Sequence, residues 1–204
     1  MSESDDRFDW VRSRVVGITG KILDIGCNEG MMFSQYPNAS QVTGVDIDAW
    51  DPPNYARFVQ ADASSLPFAD NEFECAIISE VLEHVPDPVL VLKEASRVAK
   101  LIIFTVPNEY GWSKNAEPFQ SKESIRAKGD EPFKFTLSNK YCRGMVDNNT
   151  KPHLFHVRYF TKEILEETLK KAGLKFSIET LEYDIRSGHH FAYFVGTAER
   201  RGGS

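Results

Sequence analysis

The ten residues from Lys21 to Gly30, Lys-Ile-Leu-Asp-Ile-Gly-Cys-Asn-Glu-Gly, constrain this chain more than any other stretch. Ile22, Leu23 and Ile25 form a short apolar run with strand character that stops abruptly at Gly26. A strand that enters a glycine turn and then a helix builds a nucleotide-binding crevice at the strand's carboxyl end. Gly26 allows the tight turn, Gly30 allows close packing of the helix after it, and Asn28 tolerates a left-handed backbone. The spacing separates two cofactor classes. A dinucleotide site needs Gly-x-Gly-x-x-Gly, so that a helix amino terminus faces a pyrophosphate. Here the pattern is Asp-x-Gly-x-x-x-Gly. The Asp24 carboxylate would repel a pyrophosphate but suits an ammonium group, which points to a nucleoside that carries an amino acid.

On these residues, Ile22 to Gly30 resembles the first motif of the class I S-adenosylmethionine-dependent methyltransferases, with Asn28 where that family usually has a second glycine. The resemblance implies that Asp24, Gly26, Cys27 and Gly30 hold the methionine end of S-adenosyl-L-methionine, with S-adenosylhomocysteine as product. Gln41 to Val45 reads as a second strand ending in Asp46-Ile47-Asp48. Asp46 lies about 20 residues beyond the turn, where a strand-end carboxylate can accept both ribose hydroxyls. The resemblance gives that role to Asp46, with Ile47 beside it and Asp48 second. Ala56 to Gln60 reads as a third strand, and the Ala61-Asp62-Ala63 after it resembles the family segment that reads the adenine edge. Ser79, closing the buried strand Phe73 to Ser79, is placed at the same cofactor. The fold implied is α/β, a Rossmann-like doubly wound sheet of seven mostly parallel strands with the last one antiparallel. One domain over 1–204 carries a substrate cap at 107–159.

The remaining elements are read from periodicity and punctuation. Asp9 to Val16 reads as an amphipathic helix anchored by Trp10, and Met31 to Tyr36 as a short helix before Pro37. Pro52 and Pro53 forbid a normal helix within Ala49 to Tyr55. Pro88 to Ala99 reads as a helix with Val89, Leu92, Ala95, Ser96 and Ala99 on one face. Lys100 to Val106 is an apolar strand. Thr161 is a helix N-cap before an Ile164, Leu165, Thr168, Leu169, Ala172 stripe that ends at Gly173. Leu174 to Leu181 and His190 to Thr197 read as a closing hairpin. Between Pro107 and Tyr159 the α/β rhythm stops, which is the mark of a functional cap.

Composition excludes several classes. At 204 residues, 41% hydrophobic and 26% charged, the chain is long enough to bury one core. No apolar run approaches the ~20 residues of a membrane span, and Met1 to Asp9 are too polar for a secretory signal. Cys27, Cys75 and Cys142 are scattered, so neither a disulfide framework nor a Cys-x-x-Cys metal site is expected, and a reducing cytoplasm is the simplest setting. The net charge of −6 argues against broad nucleic-acid binding. Residues 107–160 nevertheless carry 9 Lys and Arg against 6 Asp and Glu, whereas 1–106 carry 8 against 17. A locally basic cap on an acidic body suits a small or medium anionic acceptor, unless its lysines are simply solvated.

Methyl transfer from a sulfonium needs in-line placement, and an oxygen nucleophile needs its proton removed as well. His84, after the fourth strand, is the first choice of general base, with Glu80 alongside. Glu80-x-x-Glu83-His84 also has the makings of half a divalent-cation shell. Two metal-dependent groups resemble it: the ubiquinone-pathway O-methyltransferases and the small-RNA 3′-terminal 2′-O-methyltransferases, the latter through His156 ahead of Phe160-Thr161. The expectation is O-methylation without a resident metal. Metal-dependent 2′-O-methylation of RNA 3′ ends, or non-catalytic cofactor binding, stand as alternatives. Oligomeric state leaves no mark in the sequence.

Overall fold

Four consecutive buried residues, Ile22–Ile25, make β1, and the sheet is assembled outward from it. The computed structural model describes residues 6–30, 36, 41–49, 55–108, 158, 160–184 and 190–201. On one side of β1 lie β2 (Val42–Asp46) and β3 (Arg57–Gln60), and on the other β4 (Phe73–Ser79) and β5 (Ala99–Pro107). A hairpin of β6 (Leu174–Asp184) and β7 (His190–Arg200) completes seven strands in the order β3-β2-β1-β4-β5-β7-β6. Pairing among β1 to β5 is parallel, and β7 runs antiparallel to both neighbours, as the sequence leads one to expect. The strand order reverses between β1 and β4, and in open α/β sheets the ligand crevice opens at such a reversal.

Register makes the carboxyl ends level. Ile25 pairs with Val45 on one side and Ile78 on the other, Asp46 pairs with Gln60, and Ser79 with Thr105. The turns that leave β1, β2, β3 and β4 therefore emerge side by side along one edge.

Period-two alternation splits the core between the two faces of the sheet. Leu23, Ile25, Ile78 and Phe104 pack with Val91, Leu92 and Ala95 of α2 (Pro88–Val98) and with Leu165 and Leu169 of α3 (Lys162–Lys171). On the opposite face Ile22, Val42, Ile77 and Ile103 pack with Val11 and Val15 of α1 (Asp6–Val15). Three details differ from the sequence reading. The anchors of α1 are Val11 and Val15, both fully buried one turn apart, while Trp10 is half-buried under the Arg14 guanidinium at 4.8 Å. Helix α2 starts one residue after its N-cap Asp87, which accepts from Leu90 N at 3.0 Å, and its inner stripe uses Val91 and Val98 in place of Val89 and Ala99. Ala99 is already extended and pairs with Phe73, so helix and strand adjoin without a loop. At α3 the Thr161 cap is present, with its hydroxyl accepting from Ile164 N at 3.3 Å.

One side chain ties the segment after β3 to α2. Arg97 donates to the carbonyls of Phe68 (2.8 Å) and Leu66 (2.9 Å), to Asp70 and to Glu94, and Glu94 in turn accepts from Leu66 N. The hydrogen bonds from Arg97 hold the Glu94 carboxyl below the usual range. Replacing Arg97 with Ala takes the donor from two carbonyls and two carboxylates, so we expect a loss of about 1–3 kcal/mol, read as a lower midpoint in urea. An unchanged midpoint would mean that the clamp is ornamental.

No helix among the described residues is long and apolar enough to cross a membrane. The expected helix at Met31 to Tyr36, the double proline and the cap lie outside the described residues, apart from Tyr36, Tyr55, Pro107, Asn108 and Arg158.

Candidate functional site

The glycine turn sits where the sheet reverses. Gly26 N and Cys27 N both donate to Val45 O, at 2.8 and 3.1 Å, which binds the turn to the end of β2. Gly26, Asn28 and Gly30 all have positive φ, at 72°, 49° and 85°. Glycine is needed at position 26 for a second reason: a Cβ there would lie 2.4 Å from Val81 Cγ2.

Asp46 ends β2 and closes the turn from the side. Its two carboxylate oxygens accept from Asn28 N (2.9 Å) and Asp48 N (3.0 Å), which fixes the carboxylate beside the glycine turn while leaving lone pairs on both oxygens. Ile47 is 51% exposed, a large apolar side chain left open next to that carboxylate. Across the edge, Ala61 N donates to Asp46 O at 2.9 Å, so Asp62 and Ala63 come directly after this contact. Asp62 is exposed, and its Oδ1 accepts from Ser64 N and Ser64 Oγ in a tight turn. Gly26 to Gly30, Asp46 with Ile47, and Asp62 with Ala63 thus form one continuous row.

Asp24 is placed differently from the open carboxylate that the sequence suggested. Alternation turns it to the α1 face of β1, where it is 1% exposed and accepts a hydrogen bond from Tyr55 Oη at 2.5 Å. The buried Tyr36 hydroxyl faces the same carboxylate outside well-formed hydrogen-bond geometry. Burial pushes the carboxyl up to about 6, against the opposing pull of the Tyr55 hydrogen bond. Burial likewise raises the Tyr55 hydroxyl, with the Asp24 charge adding to it. The ring of Tyr55 reaches this carboxylate by lying over Gly44, where a Cβ would meet it at 2.7 Å and Cys27 Sγ at 2.8 Å. Cys27 itself is buried, and burial with the nearby Asp24 charge raises its thiol, so its side chain is inert packing under the turn.

The end of β4 carries the rest. Ser79 Oγ shares a hydrogen bond with Thr105 Oγ1 at 2.9 Å, and Thr105 donates to Glu80 Oε1 at 3.0 Å. Glu80 has φ +57°, and its Oε2 lies 3.2 Å from Arg7 Nη1. Glu83 is fully buried, with Oε1 3.7 Å from Nε2 of the half-buried His84. The chain returning from the 109–157 segment touches this corner: Arg158 N donates to Glu83 O and Arg158 Nη2 to Pro86 O. Glu80 and the Glu83–His84 pair point to different partners. Among the described residues no group of three or more His, Cys, Asp or Glu is gathered to hold a metal, and His156 lies outside them. Sequence reasoning located the row of strand ends but missed Tyr36, Tyr55, Thr105 and Arg7. Only the placement of Tyr55 at the entry to β3, beside a strand containing Gly44, offered a signal.

This seven-stranded order, with the glycine turn at the reversal and a carboxylate ending the next strand, defines a class I S-adenosylmethionine-dependent methyltransferase domain. Residues 17–177 match the family model described as a methyltransferase domain, and the chain belongs to that family. Among curated relatives, the demethylmenaquinone methyltransferase of Staphylococcus carnosus is 32% identical over 94 residues, covering 45% of this chain and 34% of that protein. The ubiquinone biosynthesis O-methyltransferase of Aeromonas salmonicida is 31% identical over 111 residues, covering 46% and 45%. These matches span less than half the length of either relative. A SAM-dependent methyltransferase structure from Methanosarcina mazei superimposes with a TM-score of 0.63 at 23% identity, covering 93% of this chain and 96% of that one.

Proposed function

We propose that this chain is an enzyme that transfers the methyl group of S-adenosyl-L-methionine to an oxygen of a small or medium acceptor. The observation that carries the reading is the row of strand ends, which offers, in order, what such a nucleoside needs. The Gly26–Gly30 turn, with Cys27 and the Asp24 carboxylate beneath it, would hold the methionine end. Asp46 keeps lone pairs for the ribose hydroxyls, and the exposed Ile47 gives the adenine an apolar neighbour. Asp62 and the Ala63 amide would read the adenine edge. When bound, the cofactor supplies an electrophilic methyl group on a sulfonium. Ser79, next to Glu80 at the β4 end, would border the same cofactor.

His84 is the proposed general base. The buried Glu83 carboxylate, 3.7 Å from Nε2, would steady the imidazole and favour the imidazolium that forms when it takes a proton. Contact of Arg158 with Glu83 and Pro86 leads the chain from the 109–157 segment back beside His84, which suits a segment that helps recognise the acceptor. The relative named for ubiquinone biosynthesis as an O-methyltransferase favours an oxygen acceptor. The basic balance of 107–160 favours one carrying negative charge.

Calorimetric titration with S-adenosylhomocysteine tests the core of this reading. The wild type should bind, and Asp46→Ala should bind at least about tenfold more weakly, the value of one or two charge-assisted hydrogen bonds. Equal affinities in the two proteins would remove Asp46 from the ribose. No binding by the wild type would end the reading.

A further inference from the structure

We propose that Arg7 is a positioning residue for methyl transfer: through its ion pair with Glu80 it holds the corner after β4 against the glycine turn of β1. The proposal rests on the reading of that turn as the cofactor seat. A short chain of contacts forms the path. The Arg7 guanidinium on the first turn of α1 lies 3.2 Å from Glu80 Oε2, and the side chains are only 12% and 24% exposed, so the pair is largely shielded from water. Arg7 is itself fixed by two rings, 4.7 Å from the centre of Phe8 and 4.9 Å from that of Tyr193 on β7. Glu80 is held from β5 as well, where its N donates to Thr105 O at 3.1 Å and its Oε1 accepts from Thr105 Oγ1. The next residue, Val81, places Cγ2 2.4 Å from where a Gly26 Cβ would be.

Glu80 has a left-handed backbone, a conformation glutamate does not favour, so the surroundings must impose it. That conformation reverses the chain at the end of β4 and sends Val81 back onto Gly26. Arg7 and Thr105 grip the same carboxylate from opposite elements, which holds this reversal in place. The fully buried anchors Val11 and Val15 lie farther along α1, so the Arg7 contact fixes the helix at its amino-terminal turn. It closes α1 across the β4–β5 end and sets the shape of the glycine turn. Held by Arg7 on one side and Thr105 on the other, Glu80 orients this corner, and His84 stays the proposed base.

Hydrogen exchange tests the path without any ligand. In Arg7→Met and in Glu80→Gln the amides of 26–30 should exchange about tenfold faster, the worth of one charge-assisted contact, while those of 91–98 in α2 keep their wild-type rates. Arg7→Lys should restore slow exchange, because it returns the charge. The double variant should exchange no faster than either single one, because both remove the same contact. S-adenosylhomocysteine affinity should fall by a similar factor in both single variants. Wild-type exchange at 26–30 in Arg7→Met would overturn the proposal, and so would additive effects in the double variant. If the wild type fails to bind S-adenosylhomocysteine, the cofactor reading falls, while exchange at 26–30 still decides the role of Arg7.

Discussion

Gly26→Ala should lower stability by about 2–5 kcal/mol and abolish measurable S-adenosylhomocysteine binding at micromolar protein. Two separate effects add at this position. An alanine at φ 72° adopts a left-handed conformation at a cost of about 1–2 kcal/mol. The new methyl group also collides with Val81, whose Cγ2 would lie 2.4 Å away, and overpacking of this kind costs about 1–3 kcal/mol. The two parts can be separated. Val81→Ala in the same background removes the colliding methyl and should recover the steric part, leaving the conformational part behind. Denaturant melts of the single and double variants give the partition. A double variant no more stable than Gly26→Ala would show that Val81 is not what the glycine makes room for. The binding loss has the same origin, since Gly26 N and Cys27 N must keep their bonds to Val45 O for the turn to stay beside Asp46.

The same corner shows what was legible in the chain and what was not. Strands β1 and β4 could be read from sequence because strands buried on both faces of a parallel sheet are near-continuous apolar runs, and β1 stops sharply at Gly26. Phe73–Ser79 was legible to the residue, and the closing hairpin was legible because its two apolar segments flank a polar stretch. The Thr161 cap was legible because capping is local chemistry. What stayed hidden depends on pairs far apart in the chain. Tyr55 meets Asp24 across 31 residues and Arg97 meets Leu66 across 31, and no periodicity encodes such a meeting. Helix α1 was placed, but its anchor was read as Trp10, the largest apolar side chain there, which packs only at the margin of the core while the fully buried pair one turn apart is Val11 and Val15. The left-handed Glu80 was invisible for another reason: glutamate carries no turn preference, and tertiary contacts alone hold it there.

Asp24 gives the second large effect, and its sign is set by linkage. Burial raises its folded-state carboxyl from 3.8 to about 6, so between these values the folded protein binds the proton more tightly than the unfolded chain does. Stability contributed by this group is therefore greatest at low pH and is lost as pH rises through that window. The whole change is about 3 kcal/mol, roughly half of it between pH 5 and pH 7.5. Asp24→Asn removes the titration, so its stability relative to wild type should improve by that amount from acid to neutral pH, whatever constant offset the lost charge imposes. Urea melts of both proteins at pH 4, 5 and 7.5 measure it, and a gap independent of pH would show that Asp24 titrates normally. The cofactor then distinguishes two roles for the same carboxylate. If Asp24 serves an ammonium group through the turn, binding favours its ionised form, releases a proton between pH 4 and 6, and strengthens as pH rises through that range. If Tyr55 is its whole environment in function as well, S-adenosylhomocysteine affinity carries no such pH dependence, and the carboxylate acts by fixing Tyr55 over Gly44 against the base of the turn.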